Sequence, residues 1–239
     1  VIAFLGDVHD LLGPMWDRLR RTPAEVTTII QLGDLWVWPE EADVPPMPDG
    51  SPRPIPKRPR DPSLHWQHPP RELHFIDGNH HNYWLTRELR EATQVAPGLT
   101  FLPRGTVMLL EGRRKPLRVG VLGGADSVLD APWRRLGDDW WPEEERVSED
   151  DVERLLANAR AAGGLDILVT HTPPASVTTA MTNGGTPHPS SILVETAWRE
   201  LGGGGEHPSL ELIAGHMHES WTDPIRRVQV LPMLGVTVR

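Results

Sequence analysis

The sequence predicts an α/β fold, and three observations carry that prediction. Short apolar runs recur along the chain, at Val1–Leu5, Ile29–Leu32, Leu73–Ile76, Ile167–Val169 and Leu210–Ala214. Segments with helical spacing of apolar residues stand between several of them. Each of these runs then stops at a residue type able to bind a ligand. In an open α/β sheet the crevice outside the carboxyl ends of the strands is where ligands bind, so five such endings point to one site.

The first run ends in Gly6-Asp7-Val8-His9. In extended chain, residues two apart point to the same side, so Asp7 and His9 can share a cation. An oxygen and a nitrogen donor together suit a borderline metal such as Mn, Fe, Zn or Ni. Alone the stretch reads more readily as a turn or a helix cap, and Asp10 is expected to cap the helix that follows. That helix covers Pro14 to Arg21, with Pro14 in its first turn and Trp16 and Leu19 facing the sheet. The second run ends in Gly33-Asp34, the third in Asp77-Gly78-Asn79-His80-His81, the fourth in Thr170-His171, and the fifth in Gly215-His216-Met217-His218.

Taken together, GDVH, GDLW, GNHH, VTH and GHMH resemble the five-block signature of the calcineurin-like metallophosphoesterases. The resemblance spans Asp7 to His218 and so covers most of the chain. It implies a four-layer α/β/β/α sandwich with two mixed sheets. It also implies two divalent transition-metal ions, Mn foremost, with Fe, Zn or Ni as alternatives. Asp7, His9 and His218 would serve the first metal, Asn79, His171 and His216 the second, and Asp34 would bridge them. A hydroxide bridging the metals would attack phosphorus, and His80 would protonate the leaving oxygen. The Ser/Thr protein phosphatases of the superfamily look like GDxVDRG and RGNHE in blocks two and three. Here Leu35-Trp36-Val37-Trp38 follows Asp34, and Asp77 stands where that branch has Arg. The phosphate-gripping arginines and the acidic partner of the histidine are therefore absent from those positions. His81 stands where many branches carry Asp or Glu. Another group must then orient His80, and His81 is itself a candidate to face substrate.

Composition narrows the setting. The 239 residues suit a single domain over 1–239, with a Pro-rich loop at about 39–70. That loop carries Arg53, Lys57, Arg58, Arg60, His65 and His68, and reads either as a lid meeting an anionic substrate or as a disordered insertion. With no cysteine, any metal must use His, Asp, Asn or Glu, and a cytoplasmic address is the default. No apolar run reaches membrane-span length, so no membrane partner is expected. The formal charge of −9 argues against extended nucleic acid.

The rest of the chain supplies scaffold. Tyr83 to Gln94 is expected to be helical. Leu99–Leu102, Thr106–Leu110 and Leu117–Leu122 read as strands, the last two forming a hairpin about Glu111-Gly112-Arg113. The paired glycines of Gly123-Gly124-Ala125-Asp126-Ser127 suit close backbone approach, either along the site or in a plain loop. Trp133, Trp140 and Trp141, among Asp138, Asp139 and Glu143–Glu145, read as rim packing, with an aromatic pocket wall as the alternative. Ser148 starts a helix running to Ala162, with Val152, Leu155, Leu156 and Ala159 inward, and Gly163-Gly164 ends it. Ser190 or Ser191 begins another that ends near Leu201, and Arg227–Leu231 and Leu234–Val238 read as closing strands.

The function expected is hydrolysis of a small-molecule or nucleotide phosphate ester, leaning to phosphodiesters or broad specificity. The alternatives are a phosphomonoesterase and, from another class, a non-catalytic binding module on the same fold.

Overall fold

The computed structural model describes residues 1–36, 69, 71–128, 131–136, 140–205 and 208–239. The Pro-rich segment (Pro69 apart) and Asp138 and Asp139 lie outside the described residues.

The chain opens with β1 (Ile2–Leu5), α1 (Leu12–Arg21), β2 (Thr28–Gln31) and β3 (Glu72–Phe75). Next come α2 (Tyr83–Thr86), β4 (Thr93–Ala96), β5 (Leu99–Phe101), β6 (Val107–Glu111), β7 (Pro116–Leu122), α3 (Pro142–Glu145) and α4 (Glu149–Ala161). It ends with β8 (Ile167–Thr170), α5 (Ala175–Met181), α6 (Pro189–Glu200), β9 (Glu211–Ala214), β10 (Trp221–Asp223), β11 (Val228–Val230) and β12 (Val236–Val238). The strands make two mixed six-stranded sheets, ordered β12-β1-β2-β3-β5-β4 and β10-β11-β9-β8-β7-β6. β1, β2 and β3 run parallel, as do β7, β8, β9 and β11. The carboxyl ends of β1, β2 and β3 therefore share one edge of their sheet, and those of β8 and β9 share one edge of the other.

Strand alternation sets the layers of this α/β sandwich. Ile2 and Phe4 of β1 enter the same buried cluster as Val119 and Val121 of β7 and Ile167 and Val169 of β8, so the sheets pack face to face. The alternate residues Ala3 and Leu5 turn the other way, against Leu12, Met15, Trp16 and Leu19 of α1. Those four follow the i, i+3, i+4, i+7 rule of a one-sided helix. Leu168 and Leu212 face a third cluster with Leu155 of α4 and Val194, Ala197 and Trp198 of α6.

The local chemistry accounts for several boundaries. α4 starts on a reciprocal capping box: Asp151 N donates to Ser148 Oγ at 3.2 Å and Ser148 N donates to Asp151 Oδ2 at 3.0 Å. α1 has no side-chain cap, and Asp10 is exposed outside it, which corrects the capping role expected there. Its far end is held instead by Arg71, whose guanidinium donates to Leu19 O at 3.0 Å and Thr22 O at 3.1 Å. The helix expected over Tyr83–Gln94 stops at Thr86. β4 begins at Thr93 because Thr93 and Val95 lie in a run that pairs antiparallel with β5, and pairing with a neighbour outweighs helical spacing. The hairpin of β6 and β7 is as expected, in register from Val107 against Gly120 to Glu111 against Pro116. No helix among the described residues is long and apolar enough to cross a membrane.

Candidate metal centre

The five blocks converge at the carboxyl ends of β1, β2, β3, β8 and β9. Asp7, His9, Asp34 and His218 form one group able to hold a metal, and Asp34, His171 and His216 form another. The structure brings these six side chains together, and Asp34 belongs to both groups. Asn79 joins the second group, its Oδ1 3.2 Å from His171 Nε2.

The spacing fits a cation. Two donor atoms each about 2.1 Å from one ion, at octahedral or tetrahedral angles, stand about 3.0–3.4 Å apart. His9 Nε2 lies 2.9 Å from His218 Nε2, and His218 Nε2 lies 3.1 Å from Asp7 Oδ2. Asp34 Oδ2 lies 3.4 Å from His171 Nε2 and 3.7 Å from His9 Nε2. The two imidazole nitrogens stand at hydrogen-bond distance beside two buried carboxylates, a donor set that a shared proton or a cation would satisfy. His171 donates from Nδ1 to Leu32 O at 2.7 Å, which directs Nε2 at the group.

The backbone is bent to achieve this. His9, Asp34, His216 and His218 all have left-handed φ, at 51°, 56°, 67° and 58°. Such conformations are costly outside glycine and concentrate at functional sites. The block glycines make the close approach possible. A Cβ at Gly78 would overlap Asp34 Oδ1 and stand 2.7 Å from His171 Nε2, and one at Gly215 would overlap Asp7 Oδ1. Asp7 is also gripped by His216 N, at 2.9 Å and 3.1 Å from its two oxygens. His80 N donates to Asp34 Oδ1 at 2.7 Å, tying the histidine's backbone to the shared carboxylate.

Electrostatics follow the same geometry. Burial pushes the Asp34 pKa up, but His171, His80 and His9 outweigh it and hold the carboxyl well below its usual range. Burial works against a proton on His171, yet Asp34 and Asp7 raise its pKa to about 9. Burial and the neighbouring His171 bring His216 down to about 4, so it stays neutral. A ligand nitrogen must be unprotonated, so metal uptake displaces the His171 proton. Metal affinity of the second group is therefore expected to rise about tenfold per pH unit from pH 6.5 and to level off near pH 9. In metal-free protein the sign reverses. The raised pKa contributes stability that is full below 6.5 and lost as pH climbs through about 9. Calorimetric titration with Mn²⁺ at pH 6.5, 7.5 and 8.5 checks the first statement; a flat profile overturns it.

Three residues support these ligands, and of them Ser127 belongs to the turn weighed as lying along the site. Ser127 Oγ accepts from Asn79 Nδ2 at 3.2 Å and from Arg134 Nη1 at 2.5 Å, and Arg134 Nη2 donates to Asn79 O at 2.9 Å. Arg134 in turn pairs with Glu145 Oε1 at 3.0 Å, with the two side chains 8% and 1% exposed. This chain fixes the amide of Asn79 so that Oδ1 faces His171. The Gly123–Ser127 turn signalled it in part, whereas Arg134 had no signal. His81 does not face the metal groups. It is buried, its Nε2 lies 2.6 Å from Thr86 Oγ1 and its ring stacks on Phe101 at 5.7 Å, so it turns away from the metal donors. Asp77 likewise turns away, its Oδ2 accepting from Arg104 Nε at 2.8 Å and Tyr83 OH at 2.9 Å. Trp133 is 85% exposed and so is not rim packing, whereas Trp141 is buried.

A cavity of about 500 Å³ opens over the centre. Asp34, Asn79, His80, His216 and His218 meet Thr172, Thr182, Ser191 and His188 in its walls, and no Lys or Arg lines it among the described residues. Comparison with family models and with curated proteins returns no match.

Proposed function

We propose that the protein is a dinuclear metal-dependent phosphoesterase of calcineurin-like type, leaning to phosphodiesters or broad specificity. The observation that carries this reading is Asp34, one buried carboxylate common to two groups of metal donors, with His80 beside it at the floor of a cavity. A pair of divalent ions, Mn foremost, would supply charge to the phosphoryl oxygens and lower the pKa of a water. Asp7, His9 and His218 would hold one ion, Asn79, His171 and His216 the other, and Asp34 both. His80 would place its imidazole against the leaving ester oxygen and give it a proton as the P–O bond breaks. Its ring lies 5.0 Å from that of His9, within reach of a phosphate held at the centre. The lack of Lys and Arg among the described residues of the cavity wall favours the singly charged diester over the doubly charged monoester.

The test is paired kinetics on bis-p-nitrophenyl phosphate and p-nitrophenyl phosphate, with Mn²⁺ returned to metal-stripped protein. Preference for the diester is expected. Preference for the monoester moves the reading to a phosphatase. No turnover with Mn, Ni, Fe or Zn favours the binding module.

A further inference from the structure

A second, smaller cavity of about 160 Å³ also has His80 in its wall. Its described walls are Trp36, His80, His81, Arg134 and Trp141. Each of these side chains ends in a planar conjugated group: two indoles, two imidazoles and a guanidinium. No aliphatic side chain and no carboxylate line it among the described residues. His80 is common to this slot and to the 500 Å³ cavity over the metal donors, so the two spaces meet at that residue. A phosphate at the centre can therefore direct one ester arm into each.

The chemistry of the walls selects the occupant. Planar π surfaces and a guanidinium stack on flat rings. Arg134 is already neutralised by Glu145 at 3.0 Å, so the slot does not call for a second phosphate. The larger cavity is different, with Thr172, Thr182 and Ser191 among its walls and a hydroxyl-rich character.

We propose that the cavity walled by Trp36, His80, His81, Arg134 and Trp141 is a subsite for a flat neutral aromatic arm of the substrate, a nucleobase being the natural class. The proposal rests on the phosphoesterase reading for its phosphate position. The base-bearing arm would lie on the His80 side, and its ester oxygen would take the proton from His80 as water supplies the new P–O bond.

The test compares adenosine 5′-monophosphate with ribose 5-phosphate, which share the phosphate and sugar and differ in the base. Calorimetric binding to Mn²⁺-loaded protein and inhibition of bis-p-nitrophenyl phosphate hydrolysis are both measured. One stacked base corresponds to about a tenfold or greater gain, so the nucleotide should bind and inhibit at least about tenfold more tightly. In Trp36→Ala that gap should close to about twofold, and Trp36→Phe, which keeps a ring, should retain most of it. Equal affinity of the two ligands in the parent protein, or an unchanged gap in Trp36→Ala, overturns the subsite while leaving turnover and the phosphoesterase reading intact. Absence of turnover with every metal overturns that reading instead, and the calorimetric comparison still decides whether the slot takes a base.

Discussion

Asp34→Asn is expected to lower turnover by about 10³-fold or more and to reduce bound metal from two ions per chain to one or none. Asp34 is 1% exposed, and its Oδ2 lies between His171 Nε2 at 3.4 Å and His9 Nε2 at 3.7 Å. Asparagine keeps the outline of the side chain and one carbonyl oxygen. It cannot offer two ions the negative charge that Oδ2 places between the two donor groups. Metal charge supplies several kcal/mol of transition-state stabilisation, and about 1.4 kcal/mol is a factor of ten in rate, which gives the size of the loss. Because the histidines around it hold the Asp34 carboxyl well below its usual range against burial, it is ionised throughout the working pH range. No change of pH should therefore restore the variant. Elemental analysis after dialysis, with steady-state rates on the same samples, checks the outcome. Two ions and full activity in Asp34→Asn would remove Asp34 from the bridging position. Circular dichroism of the metal-free variant guards against simple unfolding. The left-handed φ of 56° at residue 34 is one that asparagine tolerates nearly as well as aspartate.

The candidate ligands were legible because each sits at a point where the sequence changes character. An apolar run needs two buried faces and must end where the sheet ends. A Gly-Asp or Gly-His at that point is therefore at the sheet edge whatever the rest of the fold does. Gly33, Gly78 and Gly215 stand in the same blocks, and a side chain at any of them would collide with His171, Asp34 or Asp7. The support behind the ligands was not legible. Arg134 reaches Asn79 across 55 residues and Arg104 reaches Asp77 across 27, and neither spacing leaves a periodic trace. Arg104 also bonds Asp151 at 3.1 Å and the carbonyl of Glu144 at 2.6 Å, so it ties β3, α3 and α4 together behind the centre. Asp77 stands in the third block, yet its burial against that guanidinium makes it part of the frame. The helix drawn past Thr86 failed in the same way. Thr93–Ala96 has no intrinsic strand pattern strong enough to announce itself, and its partner strand decides its state. His81 stands apart from the donor groups. Its neighbour in the sequence faces the centre, while the chain turns between them and buries its ring on Phe101.

The question of what His80 does is answered by varying the leaving group. His80→Gln is expected to lower kcat by about 10²–10⁴-fold for a diester with an alkyl leaving group, the range a positioned general acid contributes. For bis-p-nitrophenyl phosphate the loss should be no more than about tenfold, because p-nitrophenolate departs without needing a proton. A group that only bound the phosphate or braced a ligand would cost both substrates alike. The backbone makes the comparison clean: it is the main-chain N–H of His80 that holds Asp34 Oδ1 at 2.7 Å, and a side-chain substitution leaves that bond in place. The shared carboxylate should keep its position and the metal content should stay at the parent level. The limb of the alkyl diester's pH profile that falls as pH rises should flatten in the variant, since the group that gives up the proton is gone. Equal losses on both leaving groups with metal content unchanged would make His80 a phosphate-binding residue, and the proton would then have to reach the leaving oxygen from water. A loss confined to the poor leaving group identifies the imidazole as the acid, and with it the side of the phosphate from which the leaving arm departs.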